Sequence, residues 1–437
     1  MNQSIWRLDT HFPEFPTLEG EMQTDVLVIG GGLTGILIAA ELAKLGIDYM
    51  LIEANTILGG TSGNTTAKIT SQHGLIYRKL LKKLGPEGAR CYWEAQETAL
   101  GALEDLCSQY ACDYEKQDNY IYAREDIRPL ELEYRALQKL NIPGDLKTDA
   151  DLPFPVAGAL RFSNQAQFHP GKLTAAMAPG LRIYEHTAAR EILDHQVLTD
   201  RGAIRAEKII VATHFPILNR YGAYFMKMYQ QRSYVLALKN AEPVRGMYLD
   251  HRTNGLSLRM QGEYLLLGGG GHRTGKKGGG WRELRSVASK IYPQARVVCR
   301  WAAQDCMTLD GMPYIGQYSP QTPDLYVATG FNKWGMTNSM LSALILRDRI
   351  RGRENAFAEL FDSSRSMLHP QLLLNGAHSA INLLTPTSPR CSHLGCALKW
   401  NPTEHTWDCP CHGSRFTAEG KLLENPAQKN LTDEGTP

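Results

Sequence analysis

The chain lacks any apolar run near the ~18 residues that a membrane-spanning helix needs. Its nearest stretch, VLVIGGGLTGILIAAELA, is broken by glycines. It also lacks a charge excess: 47 Lys and Arg stand against 45 Asp and Glu, a net charge of +2. That balance, without a long basic run, gives no support for a nucleic-acid partner. The opening residues MNQSIWRLDTHFPEF lack the basic start and apolar centre of a signal peptide, so a cytoplasmic protein is the expectation. Cys91, Cys107, Cys112, Cys299 and Cys306 are scattered, as suits reduced thiols in a reducing compartment. Apolar residues are not scarce. At 43% of 437 residues they can build two domains or one large one. The 40 glycines come in clusters, a sign of backbone that approaches ligands.

The first such cluster lies in TDVLVIGGGLTGILIAAELAKLGIDYMLIEA, Thr24 to Ala54. Val26 to Ile29 reads as a buried parallel strand. Gly30, Gly32 and Gly35 follow at G-x-G-x-x-G spacing, then a helix over Leu33 to Leu45 that Gly46 caps. A second strand, Tyr49 to Ile52, ends on Glu53. Gly30 permits the tight turn, Gly32 lets the backbone approach a pyrophosphate, and Gly35 lets helix and strand pack closely. The N–H groups of Leu33 and Thr34 open the helix where a phosphate would sit. Glu53, 18 residues after Gly35, can accept from ribose hydroxyls. Strand, turn, helix, strand and acid in this order predict a dinucleotide site.

After Glu53 comes ANTILGGTSGNTTAKITSQHG, a run that can lie along the rest of a dinucleotide; Thr61, Ser62, Thr66 and Lys68 are its candidate contacts. Here the chain resembles the D-amino-acid-oxidase-type FAD-dependent oxidoreductases. KIIVATHFP (208–216), QDCMTLDGMPYIG (304–316) and DLYVATGFNKWGMTNSMLSALIL (324–346) are similar to that family's later strand-and-turn segments, and in the same order. The resemblance covers about residues 20–360. It implies bound FAD in a Rossmann-type, glutathione-reductase-like α/β domain, over about 20–75, 150–225 and 300–355. An α+β substrate domain with an antiparallel sheet, about 76–150 and 226–300, would roof it. It also implies that Gly330, Trp334, Gly335 and Met336 lie by the flavin ring. Some relatives anchor flavin on a cysteine near the position of Cys306, but its spacing to Asp310 departs from that pattern.

Between these segments, residues 75–150 read as helical, with Pro86 near a helix start. Residues 155–300 alternate more and read as antiparallel strands. Lys68, His73, His169, His272 and Arg273 are candidate pocket residues, because a cation beside a flavin edge stabilises the reduced anion. Each can equally be a hydrogen-bonded structural group. Lys68, His73, His272 and Arg273 are the candidates for catalysis.

The tail carries different chemistry. CSHLGC (391–396) and CPCHGSRF (409–416) set Cys391-x-His393 fifteen residues before Cys409-x-x-His412. Two thiolates and two imidazoles suit a Rieske [2Fe–2S] centre, with the cysteines on one iron and the histidines on the other. They also suit zinc. Residue for residue the boxes are similar to Rieske proteins. That resemblance implies metal ligation by Cys391, His393, Cys409 and His412, and a Cys396–Cys411 disulfide between the loops. The pattern departs from the family in one respect. Residues 361–385 read as a linker with a short helical stretch and a Pro/Thr-rich turn, leaving about fifty residues, 386–437, for a small all-β module. So small a module must lean on ligation and on the flavin domain. Trp400, Trp407 and Phe416 are its expected core.

Two cofactor signatures on one chain imply an FAD-dependent dehydrogenase or oxidase of an amino acid or secondary amine. Its electrons would pass through the cluster to an external carrier such as a ferredoxin or quinone. Two alternatives stay open at this point: a flavin reductase fed through the cluster, and a non-enzymatic redox sensor.

Overall fold

The computed structural model describes residues 3–366, 369–386 and 389–431. The module's last residues, 432–437, and part of the Pro/Thr-rich turn lie outside them. Among the described residues the strands form three sheets.

The first sheet is the dinucleotide layer. Its spatial order is Tyr314–Gln317, Leu325–Thr329, Gly202–Val211, Gly20–Ile29, Tyr49–Ile52 and Ile183–Tyr184. All neighbours are parallel except the first pair, and the hairpin Ala189–Leu193/Gln196–Thr199 flanks Gly202–Val211. Val26, Leu27, Val28 and Ile29 are all buried, which is why that run is continuously apolar rather than alternating. Helix Leu33–Lys44 packs on this sheet and on the helix Gly335–Ile350. Gly46 follows the first of these helices at φ +67°, as the C-terminal glycine predicts.

The second sheet has nine strands and roofs the first: Arg296–Thr308, Met228–Lys239, Tyr264–Arg273, Ser257–Gln261, Met247–Asp250, Glu115–Ala123, Gly158–Gln167 and Lys68–Ile69 in order, with Asp145–Lys147 beside Gly158–Gln167. Most pairs are antiparallel, but Met247–Asp250 runs parallel to Glu115–Ala123. Gly158–Gln167 and most of Arg296–Thr308 therefore belong to the roof, although they were placed in the flavin half by sequence position.

Several local expectations change. Residues 77–107 are helical, broken at Gly85 (φ +73°) with Pro86 opening the second part. Yet Glu115–Ala123, inside the region read as helical, is a strand. Its Tyr120, Ile121 and Tyr122 carry the β-favouring side chains that mark it. Two helices of eight residues or more, Pro170–Met177 and Gly280–Ile291, and the short helix Tyr224–Lys227 interrupt the region read as strands. Gly280–Ile291 has a clear sequence signal: it buries Trp281, Leu284 and Ala288, a helical period visible in the sequence. The short helical stretch of the linker is a full helix, Pro370–Leu384.

The third sheet is a four-strand antiparallel meander, Lys399–Asn401, Thr406–Asp408, Arg415–Thr417 and Leu422–Glu424. Its core is small: Cys391, Cys396, Leu398, Cys409, Cys411, Phe416 and Ala427. Phe416 is fully buried and Trp407 packs against this core, as expected. Trp400 does not join them. It lies 41% exposed, its ring against those of Trp407 and His405.

Candidate functional site

Backbone builds the front site. Gly30 sits at φ +116°, and a Cβ there would stand 2.6 Å from the Ala212 carbonyl oxygen. At Gly35 a Cβ would stand 1.9 Å from the Gly30 oxygen, so only glycine lets the helix approach its strand. Gly32 caps helix Leu33–Lys44 without a side-chain bond to the helix. Instead, Ser62 Oγ of the following loop accepts from Leu33 N at 3.0 Å. Thr34 Oγ1 is paired with Ser339 Oγ of helix Gly335–Ile350 at 2.8 Å. Glu53 accepts from Gly31 N at 2.7 Å and from Asn55 N at 2.8 Å, and burial raises its carboxyl pKa. Thr61 Oγ1 donates to the Gln304 carbonyl at 3.0 Å. Gly330, at φ +72°, has Thr308 Cγ2 where a Cβ would go.

All of these but Gly31, Leu33 and Gly35 line one cavity of about 1890 Å³, together with Thr66, Lys68, Trp334, Gly335, Met336 and residues of the tail. Its many lining glycines, with the helix N-terminus present on the wall through Gly32 and Thr34, fit a dinucleotide. FAD would be held by Gly30 to Thr34, Glu53, the Thr61–Thr66 loop and the Gly330–Met336 turn.

The titratable candidates divide. Lys68 lines the cavity and donates to Ser257 Oγ. Burial, and then the Arg259 charge, lower its ammonium pKa to about 7. His73 also lines the cavity, but its ring nitrogens are occupied. Nδ1 lies 2.7 Å from Tyr92 Oη, and Nε2 lies 2.8 Å from the Thr70 carbonyl. Burial lowers its pKa to about 3, and its ring stacks on Trp334 with centroids 4.9 Å apart. It is placed to support Trp334 rather than to move protons. His169 caps helix Pro170–Met177 by accepting from Lys172 N, away from the cavity.

His272 and Arg273 are likewise absent from the cavity wall. His272 Nδ1 lies 3.0 Å from the Gly270 oxygen, and its ring stacks on Tyr234. Arg273 reaches the tail: Nε donates to the Pro410 carbonyl at 3.4 Å and NH1 to Asn375 Oδ1 at 3.1 Å. The strand carries them past the cavity to the docking face, which spacing alone does not reveal. Sequence reasoning missed Lys333 and Asp305, which line the cavity wall. Burial lowers the Lys333 ammonium pKa and raises the Asp305 carboxyl pKa, each moderated by the other's charge. Lys333 sits at φ +75° within the quoted glycine turn, and that turn was the available signal. Cys306 is buried on the same wall, its thiol directed to the His214 carbonyl.

Side chains build the second site. Cys391, Cys396, Cys409 and Cys411 are each at most 2% exposed. The sulfurs of Cys396, Cys409 and Cys411 lie within 4.8 Å of one another. The rings of His393 and His412 are 4.9 Å apart, and both Nδ1 atoms are buried without a partner. Each box is a tight turn: Gly395 N donates to Cys391 O and Gly413 N to Cys409 O, with φ of +73° and +88°. Two partnerless imidazole nitrogens beside buried thiols fit a metal centre, since neutral imidazole binds metal through such a nitrogen. Cys391, His393, Cys409 and His412 would hold it. Cys396 and Cys411 are separate thiols here; the disulfide implied by the boxes is not formed in this structure.

The tail docks on the roof sheet and on the loop after Val211. Gln230 Nε2 donates to the His412 carbonyl at 2.7 Å, and Gln304 Nε2 to the Gly413 carbonyl at 2.8 Å. A Cβ on Gly413 would stand 2.7 Å from the Gln230 side chain, and one on Gly275 would stand 2.7 Å from Pro410. Arg232 of the roof pairs with Glu404 and Glu424, and Arg415 pairs with Glu404, Asp408 and Glu424. Burial alone would raise the Glu404 pKa, but the Arg232 and Arg415 charges hold it down at about 2.

The family description "FAD dependent oxidoreductase" matches residues 25–349. The chain belongs to that family. A Rieske [2Fe–2S] domain matches residues 378–433, so the chain's cofactors are FAD and a [2Fe–2S] cluster. YhfW of Bacillus subtilis (strain 168), described as a Rieske 2Fe-2S iron-sulfur protein, is 35% identical over 98% of this chain and 97% of its own length. The crystal structure of glycine oxidase from Geobacillus kaustophilus shares the fold of the front of the chain. Its TM-score is 0.68 at 22% identity, covering 79% of this chain and all of that one. A cytochrome b6-f complex iron-sulfur subunit of Nostoc sp. is 51% identical over 41 residues, 9% of this chain and 23% of its own. No helix among the described residues is long and apolar enough to cross a membrane.

Proposed function

We propose that this oxidoreductase oxidises a carbon–nitrogen bond of an amino acid or secondary amine, with electrons leaving the flavin through the fused cluster to an external carrier. Its site residues are those named above. The observation that carries the reading is the shared wall: Gln304 lines the dinucleotide cavity and donates to Gly413 inside the second Cys/His box. A relative named for glycine oxidation supports the substrate class.

Bound FAD supplies the hydride acceptor, and the cluster supplies one-electron exchange at a potential of roughly −150 to +300 mV. The chain's own residues bind and orient. Below about pH 7 Lys68 is an ammonium on the cavity wall, suited to a substrate carboxylate. Trp334, backed by the neutral His73 ring, offers a flat apolar wall beside the Gly330 turn. Lys333 and Asp305 add a basic and an acidic group to the same wall. The roof sheet and the docked tail both contribute to the cavity wall.

Anaerobic mixing of the holoprotein with a panel of amino acids and secondary amines tests the reading. Substrate should bleach the flavin and then reduce the cluster, seen as a two-iron EPR signal. Repeated flavin turnover over a cluster that stays oxidised would refute the relay.

A further inference from the structure

Of the two box histidines, His393 reaches a partner on the flavin domain. Its Nε2 lies 2.8 Å from Asn219 Oδ1, while its Nδ1 is buried and unpartnered. Asn219 lies within the loop, residues 212–223, that leaves the dinucleotide sheet after Val211. The inner part of that loop, Ala212 to His214 together with Ile217, lines the dinucleotide cavity. Phe215 between them is fully buried and lies near the His412 ring, centroids 6.3 Å apart. The loop is pinned along its length. Asn425 Nδ2 donates to the Thr213 and Phe215 carbonyls at 2.7 and 3.1 Å. Gln428 Nε2 donates to Ile217 O at 2.9 Å, and Tyr318 Oη to Leu218 O at 2.6 Å. One short segment therefore touches the flavin site at one end and a cluster imidazole at the other.

We infer that Asn219 is a positioning residue for the cluster: it fixes the His393 imidazole and tunes the iron that this ring binds. The inference rests on the ligand set proposed above. A neutral imidazole carries its proton on one nitrogen and a lone pair on the other. An amide oxygen facing Nε2 places the proton there and leaves the Nδ1 lone pair for iron. A partner of this kind orients the ring and raises its donor strength. Stronger donation favours the oxidised iron, so Asn219 holds the cluster potential down. The same loop walls the dinucleotide cavity at Ala212 to His214 and Ile217.

The test uses the full-length holoprotein with Asn219→Leu and Asn219→Asp, prepared without oxygen. The readouts are midpoint potential, EPR g values and iron per chain, with flavin absorption reporting a folded front domain. Asn219→Leu removes the acceptor. Its midpoint should shift upward, and its cluster affinity should fall about 10- to 100-fold. Asn219→Asp keeps an acceptor of greater strength, so it should retain the cluster and shift the midpoint downward. Wild-type potential and g values in both variants would overturn the inference alone. A wild-type protein with no two-iron signal would overturn the ligand assignment, and this inference with it.

Discussion

The two cofactor sites are built in opposite ways. The dinucleotide site is made of backbone: glycines that admit a close helix, an open helix N-terminus, and strands whose side chains are fully buried. The large core behind it stabilises this arrangement with or without ligand. The tail site is made of side chains, four cysteines and two histidines, and the cysteines themselves are four of the seven buried residues of its core. Such a core is too small to hold the loops alone. The tail borrows rigidity from ligation and from the roof, through Gln230, Gln304 and the Arg232–Glu404–Arg415 network. A site inside a large core stands by itself, whereas a grafted site depends on its seat.

If that contrast is right, the largest effect comes from the tail's own ligands. Cys409→Ser should abolish the two-iron EPR signal while flavin absorption survives. Simultaneous loss of flavin would show that the front site depends on the cluster and would break the comparison. Next in size is the seat. Arg232→Met leaves Glu404 and Glu424 with Arg415 as their remaining partner and should cost about 3 kcal/mol, read as tail undocking in denaturant while the front transition stays put. Acid sharpens the same point. Glu404 titrates at about 2 when folded, against 4.5 for a free glutamate. Its contribution is therefore present above about pH 4.5 and lost as pH falls toward 2. The cluster signal should fade in that window before the flavin is released.

A smaller effect is expected within the front cavity. Lys68 loses its charge above about pH 7, so KM for carboxylate-bearing substrates should rise there. Lys68→Met should flatten that pH profile while flavin content is kept. The smallest belongs to Trp400. Its 41% exposure limits Trp400→Ala to about 0.5 kcal/mol in thermal unfolding, less than Trp407→Ala.

The dinucleotide strand, turn and helix were legible in the sequence, because each needs local residue types at fixed offsets. The Gly330–Met336 turn was legible for the same reason, and so were the Cys/His boxes. His272 and Arg273 were not, since a strand's direction across a sheet is set by its pairing partners. Lys333 and Asp305 stand in segments that the family resemblance already marks, whereas nothing near Asn219 marks it; the burial and facing of all three come from residues distant along the chain.

By itself, then, the sequence determined which cofactor chemistries this chain carries, for those signatures are short-range: glycines where backbone must approach phosphate, thiolates and imidazoles where iron must be held. Only the tertiary structure decided that the two sites share a wall, that Arg273 serves the tail rather than the flavin, and that Asn219 faces His393. Those are contacts between segments distant along the chain, and they are selected by the packing of whole sheets.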